Sequence, residues 1–194
     1  MAEYYRFFDS IDGEDERYYT ADEFAEYFRQ FLSSGVYAKE GQAGLRVEAD
    51  EVSMQVSITQ GAAFIEGYMY KIDTEPLTLT LAAADPALDR IDRVVVRLDK
   101  TLENRHVKVF VLTGEPSANP SAPQITRDDN IYEISLAKIN VTAGKSFVEQ
   151  SQIIDERTNE DVCGFVSSLI SIPTSQFQDE WEDWKTIVQP ALID

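Results

Sequence analysis

One cysteine, Cys163, and one histidine, His106, stand in a chain of 194 residues, and these two scarcities exclude much chemistry. A lone cysteine forms no intramolecular disulfide, so the fold does not depend on oxidation. Cys163 has no CxxC neighbour and no second histidine with which to share a zinc ion. A Ser-His-Asp or Cys-His arrangement would have to use His106, which falls in a predicted strand beside no obvious nucleophile. Basic residues are also few: 17 Lys and Arg face 35 Asp and Glu, a net charge of −18. Such a chain repels nucleic acid phosphates and anionic lipid headgroups, so neither is an expected partner. No apolar run approaches the roughly 20 residues of a membrane span. Met1-Ala2-Glu3-Tyr4-Tyr5-Arg6 lacks the charged-then-apolar plan of a signal peptide. A soluble protein made in a cytoplasm is expected.

Phosphate-binding motifs are missing too. There is no GxxxxGK[ST] and no GxGxxG, and Gly41-Gln42-Ala43-Gly44 precedes a strand rather than a helix. The acidic turn from Asp9 to Glu16 does not match an EF-hand loop. Carboxylates are abundant, but glycoside hydrolysis needs two placed ones and the sequence names no pair. No catalytic residue, cofactor or metal ligand is assigned, and a non-enzymatic role is expected.

What is present fits an ordered domain. Hydrophobic residues make up 43% of the chain, enough at this length for a substantial core. The charge is uneven: residues 1–50 carry a net −7, residues 51–148 a net −3 and residues 149–194 a net −8. The acidity therefore sits on the two ends.

Thr20 followed by Glu23 makes a capping box, and Phe24, Tyr27, Phe28, Phe31 and Leu32 then recur with helical spacing up to Gly35, a plausible stop. The period changes to two after Gly44. Val52, Met54, Val56 and Ile58 predict one strand, Phe64 to Tyr70 predicts two strands with a tight connection, and Leu77, Leu79 and Leu81 predict another. Residues 90–99 and 106–112 predict an antiparallel hairpin. The Pro-rich stretch from Gly114 to Pro123 predicts an extended, exposed loop. Ile131 to Val141 is a further strand, and Ile153-Ile154 a short one. A last helix holds Phe177, Trp181, Trp184 and Val188 on one face, with Ser175 and Gln178 as a second capping box, acids suited to its first turn and Pro190 as its stop. Two tryptophans on one face of a chain-terminal helix suggest the start of a coiled-coil bundle. The expected order is helix, about seven strands, helix: a mainly β (α+β) chain with an antiparallel β-sandwich-like body.

Several segments together resemble tail proteins from phages of Gram-positive bacteria. Arg90-Ile91-Asp92-Arg93-Val94-Val95-Val96-Arg97 is similar to their R-x-D-x-V-V-x-R strand. Gly114-Glu115-Pro116 with Pro120 and Pro123 resembles their G-x-P…P…P loop. Glu133 to Ile139 resembles E-x-x-L-A-x-I, Ile154 to Gly164 resembles I-x-D-x-R…C-G, and the Phe177/Trp181/Trp184 helix resembles F-x-x-W-F. The resemblance spans residues 20–188. It implies the N-terminal adaptor domain of a baseplate or tail-fibre protein, placed in the virion tail, made in the bacterial host cytoplasm and often continued by a trimeric stalk and receptor-binding head. Here the chain ends at Asp194, where the stalk would begin.

The resulting expectation has three segments: residues 1–36, an N-terminal segment with the aromatic helix; 37–165, the β-rich body; and 166–194, a linker with the Trp helix. Self-association, with a trimer favoured, and docking to other tail or baseplate proteins are expected through Phe24, Phe28, Phe31, Phe177, Trp181, Trp184 and Val188. A rival expectation is a carbohydrate-binding module stacking cell-wall sugars on Tyr68, Tyr70 or the tryptophans.

Overall fold

The computed structural model describes residues 3–39, 42–170 and 175–188. Helix α1 spans Ala21–Arg29, and four short strands follow: β1 Gly35–Val36, β2 Ala38–Lys39, β3 Gln42–Ala43 and β4 Val47–Ala49. Next come β5 Gln55–Ile58, β6 Gly61–Ile65, β7 Tyr68–Ile72 and β8 Leu77–Thr80, then the long strands β9 Arg90–Asp99, β10 His106–Leu112 and β11 Ile131–Val141. A 3-10 turn at Gln150–Gln152 leads into β12 Ile153–Asp155, and helix α2 Ser175–Val188 comes last. The fold is mainly β, with antiparallel sheets and one helix towards each end, as the patterning predicts.

The long strands form a four-stranded sheet in the order β10-β9-β11-β12. Two three-stranded sheets, β1-β6-β7 and β4-β5-β8, complete the body, with β2-β3 as a small ribbon. Strand alternation decides the core. Val94, Val96 and Leu98 of β9, with Ile134 and Ile139 of β11, pack into one buried cluster with Val36, Val56, Ile58, Ile65 and Leu81. Each such side chain contributes about 1.5–3 kcal/mol by leaving water. A bulge between Ser135 and Ala137 shifts the β9–β11 register, and Ser135, Leu136 and Ala137 are all buried there.

Strand β9 is buried on both faces, so its charges must be paired. Arg90 Nε donates to Asp92 Oδ1 at 2.9 Å, and the Arg90 guanidinium also donates to the Ala82 and Ala83 carbonyls. Arg93 lies 3.2 Å from Glu156, whose other contacts are Lys138 at 3.2 Å and the Ser135 hydroxyl at 2.6 Å. Arg97 Nε meets Glu133 Oε1 at 2.6 Å, and Glu133 Oε2 accepts from the Thr126 N–H. Arg157 holds Asp155 at 2.6 Å and donates to the Ala43 and Gly44 carbonyls.

The structure corrects several local expectations. Twelve strands are present among the described residues instead of about seven, because residues 35–49 form short strands without clear alternation. The predicted strand from Val52 begins only at Gln55. Asp50 accepts from the Val52 and Ser53 N–H groups and from the Ser53 hydroxyl, which makes a turn and leaves Val52 exposed. Helix α1 ends at Arg29 rather than running to Gly35. Gly35 instead lies in β1, where a Cβ would come within 2.7 Å of the Gly164 carbonyl oxygen. The Pro-rich loop is irregular and largely part-exposed or exposed, and it is also fastened to the body: Gly114 is buried, and the Pro123 carbonyl accepts from Arg93 at 2.6 Å. In α2, Ser175 is already helical, so Asp179 and Glu180 fall in the second turn. Pro173, Thr174 and Pro190 lie outside the described residues.

Candidate functional site

Helix α1 starts where its capping box predicts. Glu23 N–H donates to Thr20 Oγ1 at 3.3 Å, and Thr20 N–H donates to Glu23 Oε2 at 2.8 Å. The Thr20 N–H, and after it the Thr20 hydroxyl, hold the Glu23 carboxyl below its usual range. The helix is pressed onto Gly67, where a Cβ would meet the Ala25 carbonyl oxygen at 2.0 Å. Only Ala25 is fully buried.

The aromatic face is therefore mostly uncovered. Phe24, Tyr27 and Phe28 are exposed, and Phe31 is half-buried. The N-terminal segment extends this face. Phe7 stacks on Phe24 at 4.9 Å and meets Tyr27 edge-on at 5.1 Å, holding a φ of +68° that a bulky residue rarely adopts. Tyr4, Tyr5, Phe8 and Tyr18 are exposed beside acidic residues. Tyr5 and Phe8 take the Arg17 guanidinium at 5.4 and 5.6 Å.

In α2, Trp181 and Trp184 are 58% and 52% exposed, with rings stacked 5.0 Å apart at 23°. Every residue from 178 to 186 is exposed, so the tryptophans are not packed on their own chain. Phe177 and Val188 belong to α2, but their side chains lie outside the described residues.

Residues 31–36 and 164–169 pair with one another. Leu169 N–H donates to the Phe31 carbonyl at 2.8 Å, Ser33 N–H to the Ser167 carbonyl at 3.0 Å, and Val36 N–H to the Gly164 carbonyl at 2.9 Å. This seam brings exposed Phe165, Leu169 and Ile170 beside the end of α1 and leaves α2 to start a few residues later. None of these three belongs to a periodic pattern in the sequence. Their cue is weak, since apolar residues in an irregular segment carry no periodicity.

The His106 and Phe110 rings lie 5.9 Å apart, tilted by 32°, and the buried His106 Nε2 has no hydrogen-bond partner among the described residues. It lines a cleft of about 550 Å³ with Asp22, Tyr68, Asp99 and Arg105, and no Ser, Thr or Cys lines that cleft. The Asp99 carboxylate is occupied by Thr101 and Asn104, and the Thr101 hydroxyl is the main cause of its lowered pKa. Cys163 is buried, which pushes its thiol up to about 12. Among the described residues no cluster of three His, Cys, Asp or Glu could hold a metal ion, and no helix is long and apolar enough to cross a membrane. Tyr68 and Tyr70 are not exposed stacking platforms as expected. Both are half-buried against the core, and the Tyr68 hydroxyl donates to Asp22 at 3.0 Å.

No family model, curated protein or solved structure matches the chain. The uncovered apolar surface is then the molecule's most distinctive feature. It comprises the aromatic face of residues 4–28 with its acidic surroundings, the strip 165–170 beside it, and the tryptophan pair of α2.

Proposed function

We propose that the chain is a non-enzymatic structural protein of a virion tail, an adaptor that gathers copies of itself through α2 and docks another tail or baseplate protein through the aromatic face near its N-terminus. The observation that carries this reading is the exposure of Trp181 and Trp184 on one helix whose residues 178–186 are all exposed. Stacked tryptophans in water are costly to leave bare, and Trp is enriched among the residues that dominate interfaces. A head-to-tail contact that closes on itself makes a ring, and the resemblance to tail adaptors that continue into a trimeric stalk favours a trimer.

The body suits a scaffold. Residues of four tail-like motifs tie to one another: Asp92 to Gly114, Arg93 to Pro123 and Glu156, Arg97 to Glu133. Charges bound in this way fix a shape and leave little free for catalysis. Sugar binding through Tyr68 and Tyr70 draws less support, because both are half-buried, and of the stacking residues only the tryptophans are exposed.

Sedimentation equilibrium of the full chain tests the proposal. The expected result is a closed oligomer at micromolar concentration. A strict monomer at high concentration overturns it.

A further inference from the structure

We infer that α2 meets copies of itself parallel and in register, with Trp181 and Trp184 in the seam and Glu180 of one helix paired to Lys185 of the next. This rests on the proposed self-association and adds its geometry.

The spacing within α2 points to a partner helix of the same repeat. Phe177 and Trp184 are seven residues apart, as are Trp181 and Val188, and the two sets interleave at steps of four, three and four. That is the a/d pattern of a left-handed coiled coil, in which the seam faces another helix with a matching seam. With Trp181 at a and Trp184 at d, Asp179, Glu182 and Asp183 fall at the outer positions f, b and c. The flanks of the seam carry Glu180 at g and Lys185 at e.

Lys185 is the single basic residue of α2, against four acids. It sits five residues after Glu180. In a parallel, in-register pair, the g side chain of one helix meets the e side chain five residues on in its neighbour, so every interface brings Glu180 to Lys185. An antiparallel pair sets g against g and e against e, so it does not bring Glu180 of one helix to Lys185 of the other. The helix is acidic, with this one cation at the position where a parallel copy supplies an acid. Within one chain Lys185 sits 3.6 Å from Glu182, and both are well exposed, so that contact exchanges easily for one across the seam.

Charge reversal in the full chain tests the arrangement. E180K and K185E are each expected to weaken association about tenfold by sedimentation equilibrium, and E180K/K185E to restore most of it. The E180K result is diagnostic, because this change lowers the net charge of −18 and general repulsion would then fall, not rise. E182K, an equal charge change on the outer face, is expected to leave association no weaker. Association indifferent to both reversals, or a double variant no better than the singles, overturns the parallel register. The self-association proposal survives that outcome if W181A/W184A still abolishes the oligomer, and both fall if W181A/W184A leaves the mass unchanged.

Discussion

The Gly114 N–H lies 2.9 Å from Asp92 Oδ1, across 22 residues of chain. The same carboxylate oxygen accepts from Arg90 Nε, so one buried acid fastens the start of β9 to the loop that follows β10. Asp92→Ala would leave the Arg90 charge buried without its acid and the Gly114 N–H without an acceptor. The expected cost is about 3–5 kcal/mol, read as a lower urea midpoint. Replacing both members together, as Arg90→Met with Asp92→Leu, should recover part of that loss.

Gly67 joins α1 to the body by contact and by conformation, with φ at +80° and the Ala25 backbone against its Cα. Gly67→Val should lift the helix. Amide exchange should accelerate in Ala21–Arg29 while Val94, Val96 and Leu98 keep their protection. The local loss should be about 1–3 kcal/mol.

Acid should loosen the turns. The Ser53 hydroxyl lowers Asp50, the Ala87 N–H lowers Asp85, the Ile131 N–H lowers Asp128, and the Arg157 guanidinium lowers Asp155. A carboxyl held below its unfolded value stabilises the fold above that value, and the contribution disappears as pH falls through the folded one. The melting temperature should therefore stay level from neutral pH down to about 4 and decline below it.

Cys163 should be silent to thiol reagents in the native protein at pH 8. It is buried and its thiol stays protonated far above that pH. Modification by a disulfide reagent should follow unfolding, giving a direct count of open molecules. Fast labelling of the folded chain would contradict this burial.

Both tryptophans of the chain lie in α2, so tryptophan emission reports that helix alone. Diluted copies should emit at the long wavelength of indole in water, with a blue shift as concentration rises. W181A/W184A should leave the unfolding midpoint of the dilute body within about 0.5 kcal/mol of the parent.

Local chemistry made much of this molecule legible. Thr20 and Glu23 locate the start of α1 because both partners of the capping box lie within one turn. The hairpin of β9 and β10 follows from two apolar β-branched runs joined by a turn near Asn104, and His106 pairs with Asp99 across it. Val52 misleads for the opposite reason. Its alternation suits a strand, but the nearby Asp50 carboxylate captures the backbone first. The charges of β9 look like exposed strand ends in sequence, because Glu133 and Glu156 lie 36 and 63 residues away from the arginines they neutralise. Helical spacing names Phe24 and Phe28 as one face, but spacing cannot say whether anything covers that face. The seam between residues 31–36 and 164–169 has no local signal at all.

That seam also decides how the molecule bears load. Phe31 pairs with Leu169 and Ser33 with Ser167, so the chain enters and leaves the pairing at the same end. Tension between the N-terminal face and α2 would peel these bonds one at a time, each worth about 1 kcal/mol, instead of shearing them together. The junction is a zipper. It should yield at low force and lengthen the link between the two uncovered apolar surfaces before the sheets behind it are strained.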